Sequence, residues 1–132
     1  MDMIEITADS VLTGLEAVVD EFGEGFVYQR VATDYGSGCF YVKNGEPDCI
    51  VAKFLTNLGV ELHHLEFGDS ANFGTAVAAD ELLERLEGFE VLKSSSRARY
   101  ALRAAQRAQD SGHTWGDALS VAEQTLKGEI NW

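Results

Sequence analysis

Three arginines set four residues apart, Arg99, Arg103 and Arg107, are the side chains of this chain best spaced to do chemistry. On a helix that interval puts all three on one face, and a guanidinium grips phosphate or carboxylate through two parallel hydrogen bonds. The triplet could hold a nucleotide, a nucleic acid or an acidic peptide. The competing reading is charge complementarity with the acidic face of Asp80, Glu84 and Glu87, within the chain or in a second copy. Trp115 is the fourth candidate for an interaction. It opens a helix beside Gly116, with Arg107 and His113 close in sequence. A Trp so placed anchors an interface or closes a small core with its N–H on a backbone carbonyl.

Other constellations carry less. His63-His64 is the one histidine pair, but adjacent helical residues diverge by about 100°, and no H-E-x-x-H or C-x-x-C accompanies it. No metal site and no cofactor are expected. Gly36-Ser37-Gly38 lacks the lysine and helix start of a phosphate loop. Asp34 and Tyr35 form no placed acid–base pair, and no nucleophile elbow is present, so the chain reads as no enzyme. Leu55-Thr56-Asn57-Leu58-Gly59-Val60 followed by Leu65 has the cadence of a helix-turn-helix. Its second helix would be Glu61 to Phe67, which lacks Arg and Lys and would set carboxylates against phosphates.

Composition narrows the classes further. The chain has 132 residues and a net charge of −12, from 22 acidic and 10 basic residues. That length suits one domain with its own core, and the charge disfavours nucleic acid and anionic membrane as partners. The charge is also segregated. Arg30 is the lone base among the eight acids that precede Lys43, whereas Lys93, Arg97, Arg99, Arg103 and Arg107 follow one another with no acid between. No apolar run approaches the roughly 20 residues of a membrane span. The Met-Asp-Met-Ile-Glu start has no basic segment of a signal peptide, so a cytoplasmic protein is expected. Cys39 and Cys49 read as reduced, buried thiols.

The elements that must position these residues follow from periodicity. Thr7 caps a helix over residues 8–22 with Val11, Leu15, Val18 and Phe22 on one stripe, ended by Gly23. Residues 26–31 and 39–43 read as two strands of an antiparallel hairpin. Asn44-Gly45 is a turn signal, Pro47 suits a first helical position, and Asp48 suits a first turn. The helix that follows, residues 49–58, is apolar nearly all round and should be buried at the centre, with Ile50, Phe54, Leu55 and Leu58 as anchors. Gly59 and Val60 should close it in a Schellman arrangement. A short helix follows at residues 61–67. Another starts near Thr75 and turns Val77, Leu82, Leu83 and Leu86 inward, and Phe89, Val91 and Leu92 form an apolar connection. A helix over residues 97–109 and a last one capped by Thr114, with Trp115 at its first position and Asp117 at its third, form an αα-hairpin. The fold class is α+β: a mainly helical single domain of about five helices with one β-hairpin and a C-terminal αα-hairpin.

Gly45-Glu46-Pro47-Asp48-Cys49-Ile50-Val51 with Leu58-Gly59-Val60, and the later run Ala105 to Ala118 (AQRAQDSGHTWGDA), resemble small uncharacterised acidic proteins of actinobacteria and their bacteriophages. That resemblance implies an origin and carries over no catalytic residue. The expected function is that of a non-enzymatic cytosolic accessory protein, phage-encoded or phage-derived, acting on a host or phage protein by protein–protein contact. Homodimerisation follows if the basic face around Arg103 meets an acidic face of a second copy. The alternatives are a polyanion mimic that occupies a nucleic-acid-binding partner and, less favoured, the helix-turn-helix reader. Light scattering at low and high salt checks the dimer: a charge-paired dimer halves in mass as screening rises.

Overall fold

The structure, a computed structural model, describes residues 3–28, 31–33, 36–38, 40–43, 45–66 and 77–128. Among these, six helices and three two-stranded pairings make a mainly helical α+β domain. In chain order they are β1 (Ile4–Ile6), α1 (Ala8–Phe22), β2 (Val31–Thr33), β3 (Gly36–Gly38), β4 (Val42–Lys43), β5 (Glu46–Pro47), α2 (Ile50–Asn57), α3 (Leu62–Leu65), α4 (Ala79–Gly88), β6 (Leu92–Ser94), α5 (Ser96–Asp110) and α6 (Trp115–Leu126). No helix among the described residues is long and apolar enough to cross a membrane.

Helix α1 begins where its capping residues require. Thr7 and Ser10 each accept from the other's backbone N–H at 3.2 Å, a reciprocal box that satisfies two of the donors a helix start leaves open. Val11, Leu15, Val18 and Val19 are its buried stripe. The next helix in the core, α2, has Ile50, Val51, Ala52, Phe54 and Leu55 all buried, and Lys53 is its single charge. It ends as its sequence requires: Gly59 takes φ +104°, its N–H reaches Thr56 O at 3.0 Å, and Val60 N–H reaches Leu55 O at 3.1 Å. That is the Schellman pattern.

Helix α5 is the hub. It packs against α6 in the expected αα-hairpin and also touches α1, α2 and α4. Its inner face is Ala98, Ala101, Leu102, Ala104 and Ala105, small enough for neighbouring helices to approach closely. Two buried glutamines lie on the same face. Gln109 Oε1 accepts from Ile50 N–H at 2.8 Å, and Gln106 Oε1 accepts from Ala79 N–H at 2.6 Å. Those are the first residues of α2 and α4, whose N-cap residues, Cys49 and Ala78, supply no side-chain bond of their own. Gln106 Nε2 also donates to Tyr41 Oη (2.9 Å) and Val77 O (3.2 Å), while Tyr41 Oη donates to Val77 O at 2.6 Å.

Several expected boundaries move for physical reasons. Pro47 pairs with Val42 across the turn at Gly45 (φ +77°) instead of opening α2. Asp48 N–H bonds Tyr41 O at 3.0 Å, so Asp48 lies outside the helix, which starts only at Ile50 where Gln109 caps it. Val77 stays outside α4 because its carbonyl is held by Tyr41 and Gln106; α4 starts at Ala79, and Thr75 lies outside the described residues. The expected hairpin between residues 26–31 and 39–43 is replaced by two smaller ones, β2 with β3 and β4 with β5. Within 26–28 the backbone is drawn to α6 instead, through a bridge between Val27 and Thr114. The parallel pair β1–β6, in register Ile4 with Leu92, is not expected from sequence, where Leu92 reads as part of an apolar connection and residues 4–6 as no element. Cys49 is a free, buried thiol; Cys39 lies outside the described residues.

Replacing Gln109 by Leu leaves Ile50 N–H buried without an acceptor and should lower unfolding free energy by roughly 1–3 kcal/mol in urea titrations, whereas Leu at exposed Gln124 should stay within about 0.5 kcal/mol. Glu90 follows α4 with φ +60°, in the region that costs a side chain about 1–2 kcal/mol. Glu90→Gly relieves that cost but loses roughly 0.4–1 kcal/mol to the greater entropy of the unfolded chain, for an expected net gain between zero and about 1.5 kcal/mol in urea titrations.

Candidate interaction site

The first two N–H groups of α6 have no partners inside the helix, as at any helix start. Here Trp115 N–H donates to Phe26 O at 2.8 Å and Gly116 N–H to Glu24 O at 2.9 Å, so the segment leaving α1 is docked onto the N-terminus of α6. Thr114 caps the same turn by accepting from Asp117 N–H at 3.1 Å. Gly116 is required by the close approach: a Cβ there would lie 2.9 Å from Glu24 O and 3.0 Å from Glu24 Cβ.

This docking builds an aromatic stack. The Phe26 ring sits 4.4 Å from Trp115 at 59°, and Phe22 meets Trp115 edge-on at 5.1 Å. Trp115 is fully buried, whereas Phe26 is 37% and Val27 50% exposed. Trp115 is thus covered; the Phe26 ring against it is partly exposed, and Val27, the next residue, is exposed as well, together forming an accessible apolar rim. Beside the rim is a pocket of about 300 Å³, open on one side and walled by Phe22, Phe26 and Trp115, with Tyr28, Lys43, Asp48 and Lys53 around them. Tyr28 Oη donates to the Asp48 carboxylate, and the Lys53 ammonium lies 4.9 Å over the Phe22 ring, a cation–π contact. Trp115 Nε1–H is buried with no acceptor among the described residues.

The arginine triplet is divided by the fold. Arg99 donates to Ser94 O at 2.7 Å and to the Ser94 and Ser96 hydroxyls, bracing the corner between β6 and α5. Arg103 pairs with Asp80 of α4 at 3.6 Å, which is the charge complementarity inside the chain that competed with an external anion. Arg107 is exposed and makes no ion pair among the described residues. Glu87 accepts from Ser94 N–H at 3.3 Å rather than from an arginine. Arg97, another member of the basic run, donates to Leu126 O at 3.1 Å, at the end of α6.

The histidine pair departs from the helical argument. Glu61, His63 and His64 bring a donor atom each within 4.8 Å of one another, with His63 Nδ1 3.2 Å from the Glu61 carboxylate. Donors around zinc with bonds of 2.0–2.1 Å lie about 3.4 Å apart, and the two rings face each other at 4.0 Å and 43°, so both side chains would have to turn to share an ion. Helix α3 spans only Leu62–Leu65, where a reader of the DNA major groove presents several turns.

Tyr28, Lys43 and Lys53 were not marked by sequence pattern. The signals were faint: Lys53 is the lone charge on an apolar helix, and Phe22 and Phe26 flank a glycine that could turn one ring back on the other. Comparison with known proteins gives no match: no family model fits the chain, and neither a curated protein nor a solved structure resembles it significantly.

Gly116→Ala should cost stability despite the roughly 1 kcal/mol that helix propensity favours Ala over Gly. The Cβ displaces Glu24 and strains both inter-segment bonds, for an expected net loss of about 1–3 kcal/mol in urea titration, with a displaced Trp115 indole N–H resonance.

Proposed function

We propose that this chain is a non-enzymatic binding protein that acts by contact with a partner protein, and that the contact is made at the Phe26–Val27 rim. The observation that supports the reading most directly is that two consecutive large apolar residues are exposed at 37% and 50%, the first of them packed against the buried Trp115 ring. Aromatic side chains held in place lose little entropy on binding and dominate interface energetics. The other exposed large apolar residues among those described, Met3, Phe89 and Tyr100, stand apart from one another in sequence, and single exposed apolar residues are ordinary.

The resemblance to actinobacterial and phage proteins favours an accessory role in such a cell. The free thiol of Cys49 suits a reducing cytosol. A polyanion mimic would concentrate its carboxylates on one face. Here exposed acids occur on α1 (Asp9, Glu16, Asp20), around α3 (Glu61, Glu66) and on α4 (Glu81, Glu84), so contact through the rim is the favoured reading. With Arg103 held by Asp80, a charge-paired homodimer through that arginine has less to draw on.

Val27→Glu puts a charge on the rim while leaving the backbone bridge to Thr114 available. A protein retained from host extract by the immobilised wild type should be lost with Val27→Glu at unchanged melting temperature. Equal retention by both would overturn the assignment of the rim. Light scattering on the same pair reveals whether the partner is a second copy: a wild-type dimer that Val27→Glu converts to monomer would make it so.

A further inference from the structure

Lys43 and Lys53 both border the pocket beside Trp115, and neither makes an ion pair among the described residues. That is notable in a chain with 22 acids for 10 bases, where counter-ions are in excess. The carboxylate that shares the pocket, Asp48, is engaged by the Tyr28 hydroxyl. The Lys53 ammonium rests over Phe22, 4.9 Å from the ring centre, with its stem half-buried on α2. The pocket therefore offers an apolar aromatic wall, two lysines that form no ion pair among the described residues, and one carboxylate, Asp48, that is hydrogen-bonded to Tyr28. At about 300 Å³ it is at the small end of ligand sites, which span roughly 300–1,000 Å³.

We propose that this pocket receives an aromatic or large aliphatic side chain flanked by carboxylates, carried on an acidic segment of the partner protein. The inference rests on the reading of the Phe26–Val27 rim as the partner contact. The apolar side chain fills the space against Phe22, Phe26 and Trp115, and the flanking carboxylates meet Lys43 and Lys53. The low-dielectric aromatic wall strengthens those ion pairs relative to pairs in open water. The occupant is a chain segment rather than a free small acid because the pocket is open on one side and its wall includes Phe26, which is itself 37% exposed. Elsewhere the net charge of −12 repels an acidic segment, so attraction confined to the two lysines fixes where it docks.

The test is titration of the ¹⁵N-labelled protein with a blocked peptide of sequence Glu-Glu-Phe-Glu-Glu, following the Trp115 indole N–H. The expected result is a saturable shift whose affinity falls roughly tenfold or more for Gln-Gln-Phe-Gln-Gln, for Lys43→Glu combined with Lys53→Gln, and on raising salt from about 20 to 500 mM. No saturable shift at millimolar peptide, equal binding of the uncharged peptide, or insensitivity to both lysine changes would overturn the proposal. Binding of 3-phenylpropionate as tight as that of the peptide would overturn it too, by making this a small-acid site. The rim reading fails separately: a partner lost on Val27→Glu but retained by the lysine variant leaves the rim in place and removes the acidic segment.

Discussion

Two side-chain amides on one turn of α5 hold the starts of two other helices. Gln109 caps α2 and Gln106 caps α4, and the N-cap residue of neither helix supplies a side-chain bond. A buried N–H left open is costly, so α2 and α4 are fully satisfied only when α5 lies across them. A primary amide suits this position because it accepts at one end and donates at the other. Gln106 uses its donor on Tyr41 and on the carbonyl of Val77, and so ties the segment before α4 to the segment before α2. The alanines around the two glutamines let the backbones come close enough for these bonds. Small side chains and buried amides are thus parts of one device.

The same logic recurs where the candidate site is built. The start of α6 takes Trp115 N–H and Gly116 N–H to carbonyls of the segment that leaves α1. One consequence is architectural: residues 24–27, just after α1, are held to α6. The other is functional. Phe26 O accepts from the helix start, the Phe26 ring lies against Trp115, and Val27 is exposed. Two backbone bonds to the start of α6 thus anchor the segment that carries Phe26.

Charge follows a comparable division. The arginines of α5 share a face, but the fold gives each a separate surrounding: serines and a carbonyl for Arg99, a carboxylate of α4 for Arg103, solvent for Arg107. The two lysines bordering the aromatic pocket come from β4 and α2, elements that no sequence spacing relates. A cationic site can thus be missed where bases are scattered and expected where they are clustered. Spacing along one helix reports a shared face, and says nothing of what packs against that face.

What the sequence by itself determined here is local. Thr7 and Ser10 start α1, Gly59 with Val60 stops α2, Thr114 starts α6, and the apolar saturation of Ile50 to Leu55 buries α2. Each of these rests on groups within a few residues of one another, where covalent geometry limits the outcomes. The mainly helical α+β class and the closing αα-hairpin follow from the same short-range signals. Only the tertiary structure decided the rest. It moved the start of α2 to Ile50 and of α4 to Ala79, because the capping amides come from 59 and 27 residues away. It paired β1 with β6 across most of the chain, and it covered Trp115 while leaving Phe26 exposed. The physical reason is the same throughout. A buried polar group must find a partner wherever the fold offers one, and an aromatic ring is core or surface according to what other segments bring over it.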